Sequence, residues 1–201
     1  MYKVYGRPFV GSLIAEFLLT ESNVEYEFIK IDYKTSKQEE FIKKNPMGKV
    51  PVLECPDGHL IFETTAIANH ISETFNILIP EIKTKDRDTY NQYMSIMSTG
   101  IYPAYHHHHH SYYYISESGF DDLKDKASKR LEVMFDHIES ILNPYICSAL
   151  TAADFYLYMI TRWDPDKKKL FHSRPNLSKL ISIISERDSV VKVLASNADI
   201  S

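Results

Sequence analysis

The sequence predicts a two-part chain: an α/β unit with a mixed sheet and element order βαβαββα, followed by an all-α unit. Two observations carry this. Alternating, strand-like segments occur only before residue 63, and from about residue 86 onward the apolar residues recur at helical spacing. The predicted boundaries are a first domain over 1–78, a linker over 79–87 and a helical domain over 88–201.

Taken in order, Tyr2 to Tyr5 form a short strand that Gly6-Arg7-Pro8 ends. Leu13, Ile14, Phe17 and Leu18 then set a helical period. Residues 24–31 alternate as a second strand, and 36–44 form a short polar helix that stops before Asn45-Pro46. A strand at 51–54, a turn at Pro56-Asp57-Gly58, a strand at 60–62 and a helix from Thr65 to Phe75 complete the unit. The linker packs through Ile77, Leu78, Ile79 and Ile82. Helices are expected at 87–113, 119–142, 151–163, 176–186 and 189–197, with Asn143-Pro144, Asp164-Pro165 and Arg174-Pro175 at the junctions.

Composition narrows the function. The chain has 201 residues, is 44% hydrophobic and carries a formal charge of −4, enough apolar content for real cores and no basis for general nucleic-acid binding. Lys167-Lys168-Lys169 is the longest basic run and reads as a solvated loop. Two cysteines, Cys55 and Cys147, fall in different units, so no disulfide framework is expected and a reducing, cytoplasmic setting fits best. No leader and no long apolar segment is visible, which points away from secretion and membrane insertion.

The most informative stretch is Asn45-Pro46-Met47-Gly48-Lys49-Val50-Pro51-Val52-Leu53, followed ten residues on by Glu63-Thr64-Thr65. A proline opening a strand is tolerated at its first position and fits a cis bond. The amide groups of Val50 would then pair with an extended ligand as a strand does. Glu63 and Thr64 open a helix whose unpaired N–H groups favour a carboxylate. Downstream, Thr151 and Asp154 form a capping box ahead of an apolar run.

These three elements resemble the cytosolic glutathione transferases, and the resemblance spans nearly the whole chain. It implies a thioredoxin-like first domain and an all-helical second one. It also implies that Val50, before a cis Pro51, pairs with the cysteinyl backbone of glutathione, and that Glu63 and Thr64 hold its γ-glutamyl end. Lys34 and Lys49 are candidates for its glycine carboxylate, while Asn45 and Gly48 shape the turn. Glutathione enters as co-substrate, the partner is a small apolar electrophile, and a homodimer is implied. For the homodimer, the tyrosines and apolar residues of helix 87–113 (Tyr90, Tyr93, Met94, Ile96, Met97, Ile101) offer a face for a second copy as well as for the core.

The chemistry of that family is stabilisation of the glutathione thiolate, which needs a donor near the end of strand 1. Aligned with the cysteine and serine types of the family, including the bacterial beta-like ones, the activating position falls on Gly11, or near Phe9 in other serine types. Ser12 is the nearest hydroxyl and the leading candidate, with helix N-capping as its other reading. Tyr5 is the second candidate, with Tyr2 and the backbone N–H groups of Val10 to Ser12 also near enough. A transferase is therefore the leading function. Alternatives are a non-catalytic glutathione-binding or regulatory protein, and a glutathione-dependent disulfide reductase or peroxidase that uses no protein cysteine.

The run His106 to His110 sits on the helix that, by the resemblance, lines the electrophile cleft. Tyr102, Tyr105, His106 and Tyr113 are the candidate pocket residues, and Trp163 reads as core. The histidines at i, i+3 and i+4 could chelate a metal, but no Cys, Asp or Glu lies within five residues of them, so no metal site is assigned and no metal is expected.

Overall fold

The computed structural model describes residues 1–200. Its contacts divide the chain into two compact units, Met1–Ile79 together with the C-terminal segment from Ile184, and Pro80–Ile183.

In the first unit the sheet has the order β2-β1-β3-β4, with β1 (Tyr2–Gly6), β2 (Tyr26–Lys30), β3 (Val52–Glu54) and β4 (Leu60–Phe62). β1 runs parallel to β2, with Val4 opposite Phe28, and antiparallel to β3, with Val4 opposite Leu53. β3 and β4 are an antiparallel hairpin in the register Val52–Phe62, Leu53–Ile61, Glu54–Leu60. The sheet is mixed, as the resemblance to a thioredoxin-like domain implied. Helix α1 (Leu13–Glu21) is buried along almost its whole length, which its run of Leu, Ile, Ala and Phe requires. Helix α2 (Glu39–Lys44) is shorter than the predicted 36–44, because Thr35–Lys37 form a 3₁₀ turn with Asp32 Oδ1 accepting from the Thr35 N–H. Helix α3 (Thr64–Phe75) ends on Asn76 at φ 52, a left-handed position that Asn tolerates.

The second unit is all-helical. Helix α4 (Lys85–Ile96) is N-capped by Thr84, whose hydroxyl accepts from the Arg87 N–H. The single helix predicted over 87–113 is in fact three pieces: α4, a π-helical turn at Met97–Ile101, and α5 (Tyr102–His109), with a further 3₁₀ turn at Ser111–Tyr113. Pro103 explains the break, since it lacks an N–H and its ring crowds the preceding turn. Gly100 sits in that turn close against α6 (Phe120–Ile141), where a Cβ would lie 2.8 Å from Met134 Sδ.

Helix α7 (Ala152–Thr161) is wholly buried and starts at the predicted capping box. Asp154 takes hydrogen bonds from the Thr151 N–H (2.8 Å), the Thr151 hydroxyl (3.1 Å) and the Ile146 N–H (2.9 Å), which ties the preceding loop to the helix. One helix was not foreseen: Lys167–His172 (α8), where a basic loop was expected. Asp166 caps it by accepting from the Lys169 N–H, and Lys169 pairs with Glu132 at 2.7 Å.

α9 (Pro175–Ser185) and α10 (Asp188–Asp199) complete the chain. Helix α10, expected at the end of the helical domain, groups by its contacts with the first unit. It packs on α1: Arg187 forms a bidentate ion pair with Glu21 at 2.7 and 2.6 Å, and Ser189 donates to the same carboxylate.

Candidate functional site

The β3–β4 hairpin has two ends. At one end stand Val50-Pro51 and Glu63, because Val52 pairs with Phe62 and the chain leaves the ladder on either side of that pair. Val50-Pro51 is cis, as the sequence reading supposed. The Val50 side chain packs on the cluster of Tyr5, Ile31, Phe41 and Val52, while its main chain lies before the first ladder residue and is not used by the sheet. The turn leading in is held by Asn45, which is buried. Its Nδ2 donates to the Lys49 carbonyl at 2.7 Å and its Oδ1 accepts from the Met47 N–H at 3.0 Å. Gly48 adopts φ 59, and a Cβ there would meet Ile42 Cδ1 at 2.9 Å, so no larger residue fits. Asn45 and Gly48 thus shape the turn.

Glu63 is the N-cap of α3, with φ 74 in a region that non-glycine residues rarely occupy, and its side chain is exposed. Such an outlier at a helix start points to a binding role. Thr64 is buried at the first helical position. Thr65, taken from the sequence as scaffold, has a buried hydroxyl with no hydrogen-bond partner among the described residues. An orphan hydroxyl in the first turn of a helix fits a site completed by a ligand. The doubled threonine after Glu63 was the signal for it. Lys34 and Lys49 are both exposed and available to an anion.

The two candidate hydroxyls for thiol activation are both engaged. Ser12 is fully buried, and its Oγ donates to the Arg7 carbonyl at 2.7 Å. It does not cap α1 through its side chain either, so neither reading of Ser12 matches its bonding. The reason lies in Gly6: a Cβ at that position would overlap Ser12 Cβ at 2.5 Å, so the serine is folded under the strand end and away from solvent. The Tyr5 hydroxyl donates to Glu54 Oε2 at 2.7 Å, and Lys44 lies over its ring. Burial and the bond to Glu54 raise the Tyr5 phenol above its ordinary range. Glu54 in turn is held at about 2, by the Tyr5 bond first and by Lys44 and Lys3 after it. Tyr2 is also buried.

The loop ahead of α1 has partners that sequence spacing gave no sign of. Phe9 has φ 61, and its N–H donates to Asn197 Oδ1 at 3.0 Å. Asn197, fully buried on α10, also donates to Glu16 Oε2 at 2.9 Å. Glu16 is 1% exposed, and burial pushes its carboxyl up to about 8. It is therefore a neutral acid at pH 7, and its second oxygen has no partner among the described residues.

In the helical unit, the predicted pocket residues separate. Tyr105 belongs to the core: it is buried, its hydroxyl donates to Asp164 Oδ2 at 2.7 Å, and it packs on Phe135 and Trp163. Tyr102 is half-buried, edge-on to Trp163 at 4.8 Å. His106 and Tyr113 are stacked at 5.9 Å in a partly exposed cluster, with Tyr114 OH 2.7 Å from His106 Nδ1 and the His110 ring 4.7 Å away. The face expected to serve a second copy is spent differently. Tyr90, Tyr93, Met94, Met97 and Ile101 are buried, Ile96 is half-buried, and Asn91, Gln92, Ser95 and Thr99 are outward positions. Among the described residues, no helix is long and apolar enough to cross a membrane.

A mixed four-stranded sheet with a cis-proline strand start, paired with a helical unit, defines a protein of the thioredoxin-like plus helical-domain class. Residues 1–73 match the glutathione S-transferase N-terminal domain family. Glutathione S-transferase F6 of Arabidopsis thaliana is 29% identical over 215 residues, covering 96% of this chain and 98% of that protein. Among solved structures, a glutathione transferase homologue from Sulfitobacter with bound glutathione superposes with a TM-score of 0.87 at 20% identity, covering 98% of each chain. The beta-class glutathione S-transferase of Sphingomonas chungbukensis gives 0.84 at 24% identity, covering 97% of this chain and 98% of the other. Residues 1–73 thus carry a glutathione S-transferase N-terminal domain, and the chain as a whole is similar to glutathione S-transferases over nearly its full length.

Proposed function

We propose that this protein is a glutathione transferase that binds glutathione along the Val50-Pro51 end of the hairpin and presents its thiolate to small apolar electrophiles. The observation that carries the reading is the exposed Glu63 at φ 74, on the same hairpin end as a Val50 main chain left out of the sheet. In this reading Val50 pairs with the cysteinyl backbone beside Pro51. Glu63, Thr64 and the orphan Thr65 hydroxyl take the γ-glutamyl end, and Lys34 or Lys49 meets the glycine carboxylate. Glutathione-bound relatives of the same fold support it.

With the Ser12 and Tyr5 hydroxyls engaged, thiolate stabilisation falls to the main-chain N–H groups at Val10 to Ser12 and to the positive end of α1. Each unit of lowering in the thiol pKa takes about 1.4 kcal/mol of preference for the anion, which in this reading these groups alone supply. No protein cysteine is suited to redox exchange. Burial raises Cys55 to about 11 and Cys147 to about 12, which favours transfer over a cysteine-based reductase. A glutathione-dependent reductase or peroxidase without a protein cysteine is the third reading. The engaged hydroxyls favour one alternative, a regulatory protein that binds glutathione without activating it. A cytoplasmic homodimer acting in detoxification completes the proposal, supported by the similarity to glutathione S-transferases alone.

The test is ultraviolet absorbance of thiolate during glutathione titration from about pH 5 to 9. Thiolate appearing below neutral pH supports a transferase. Binding without thiolate supports the non-catalytic reading, and no binding overturns both.

A further inference from the structure

The opposite end of the same hairpin carries a second constellation. The tight turn after β3 brings Cys55 and His59 together: the Cys55 N–H donates to the His59 carbonyl at 2.9 Å, the Gly58 N–H donates to the Cys55 carbonyl at 2.8 Å, and Gly58 takes φ 91. Two turns into α3, His70 reaches back to that turn, with Nε2 3.4 Å from Cys55 Sγ and its ring edge-on to His59 at 5.5 Å. One ligating atom from each of Cys55, His59 and His70 lies within 4.8 Å of the others. The run His106 to His110, whose spacing could chelate a metal, forms no such group among the described residues.

We propose that Cys55, His59 and His70 form a binding site for Zn²⁺, separate from the glutathione end of the hairpin. Three observations support it. A tetrahedral Zn²⁺ with one thiolate and imidazole ligands, at bond lengths of roughly 2.3 and 2.0 Å, separates sulfur from nitrogen by about 3.5 Å, and Cys55 Sγ and His70 Nε2 already stand at 3.4 Å. Asp57 Oδ1 lies 2.7 Å from His59 Nδ1 and 3.2 Å from the His59 N–H. A carboxylate on Nδ1 fixes the proton there and leaves Nε2 free, the arrangement that orients metal-bound histidines. Finally, the ligands grade from buried Cys55 through half-buried His70 to exposed His59, so an ion has a path in and a fourth position open to water. The donor set of one sulfur and two imidazoles selects Zn²⁺ over Mg²⁺ or Ca²⁺, which take oxygen. On binding, the Cys55 thiol gives its proton to solvent and the sulfur donates a lone pair to the metal, with no change of oxidation state.

The experiment is Co²⁺ titration of chelator-treated full-length protein made without an affinity tag, followed by competition with Zn²⁺. One equivalent of Co²⁺ should produce a thiolate-to-metal charge-transfer band with the visible spectrum of a tetrahedral site, and Zn²⁺ should abolish it. In Cys55→Ser the band should vanish; in His59→Gln and His70→Gln affinity should fall roughly 10–100-fold. His59 is exposed, so its variant reports on the site without disturbing the fold. A variant with His106 to His110 replaced by Gln should keep the band. The proposal is overturned if no charge-transfer band forms, if it survives in Cys55→Ser, or if it is lost with the histidine run. Glutathione binding, measured in parallel, should be unchanged by His59→Gln.

Discussion

Two helix starts in the first unit use their residues in opposite ways. At α3, Glu63 stands exposed at φ 74 and the Thr65 hydroxyl has no partner among the described residues, so in the proposed function this helix end meets the ligand. At α1, Ser12 is folded inward onto the Arg7 carbonyl, Phe9 is tied to Asn197, and the site's side chains are consumed by structure. In the proposed function one start recognises through side chains and the other offers only main chain. A third start, that of α7 in the helical unit, is purely structural: the Asp154 carboxylate is enclosed and takes three donors. Residue type at a helix start therefore does not decide its role; exposure and partners do.

The largest expected effect belongs to the structural start. Asp154→Ala strands the N–H groups of Thr151 and Ile146 inside the protein, and at 1–3 kcal/mol for each buried unpaired group the loss should be about 3–5 kcal/mol. Urea unfolding would measure it. A loss under about 1 kcal/mol would place this carboxylate closer to water than its burial indicates.

Next comes the acid beneath the α1 loop. The Glu16 carboxyl sits at about 8 in the folded chain against 4.5 as its ordinary value, so the folded state binds the proton more tightly than the unfolded chain. Its stabilising proton is fully in place below pH 4.5 and is lost as pH rises through 8. Asp154, raised to about 6 by burial, acts in the same direction but is spent by pH 6. Between pH 6 and 8 the wild type should therefore lose up to about 2.7 kcal/mol relative to Glu16→Gln, which cannot titrate. Parallel stability curves for the two proteins that do not diverge over this interval would show Glu16 to be ionised already.

The α3 start should show its effect in binding alone. Glu63→Ala removes an exposed charge that no bond within the chain engages, so stability should hold within about 0.5 kcal/mol. Glutathione affinity should fall roughly 10–100-fold by calorimetry, the value of one charge-assisted hydrogen bond. A fall in stability with unchanged affinity would reverse the roles of the two helix starts.

The same contrast explains what could be read from the chain. Val50-Pro51, Glu63-Thr64 and the Thr151–Asp154 box are local patterns, a few residues long, in which backbone geometry does the work, and each stands where the spacing put it. The order of strands and helices and the helical unit followed from periodicity for the same reason, while the mixed pairing of the sheet came from the resemblance. Ser12 and Tyr105 could not be read this way. The first is decided by the Arg7 carbonyl that takes its hydroxyl and by Gly6 packed against it, and the second by Asp164, Phe135 and Trp163, which lie far from it in sequence. The α8 helix was hidden because its cap, Asp166, precedes three lysines that dominate the local composition.

The smallest effect is the most decisive for the chemistry. Ser12→Ala deletes one hydrogen bond to the Arg7 carbonyl in a buried spot, costing about 1 kcal/mol of stability. If the main chain of the α1 start holds the thiolate, the apparent pKa of bound glutathione should move by less than about 0.3 units, since Ser12 gives nothing to the sulfur. A serine that rotated outward on ligand binding would instead donate to sulfur, and its loss would raise that pKa by about one unit. The two outcomes differ by about 1.4 kcal/mol of anion preference, well above the error of a thiolate titration, and the stability loss is the same in both. The pKa of bound glutathione in this one variant thus separates a start that activates through its backbone from one that only awaits its ligand to turn the hydroxyl around.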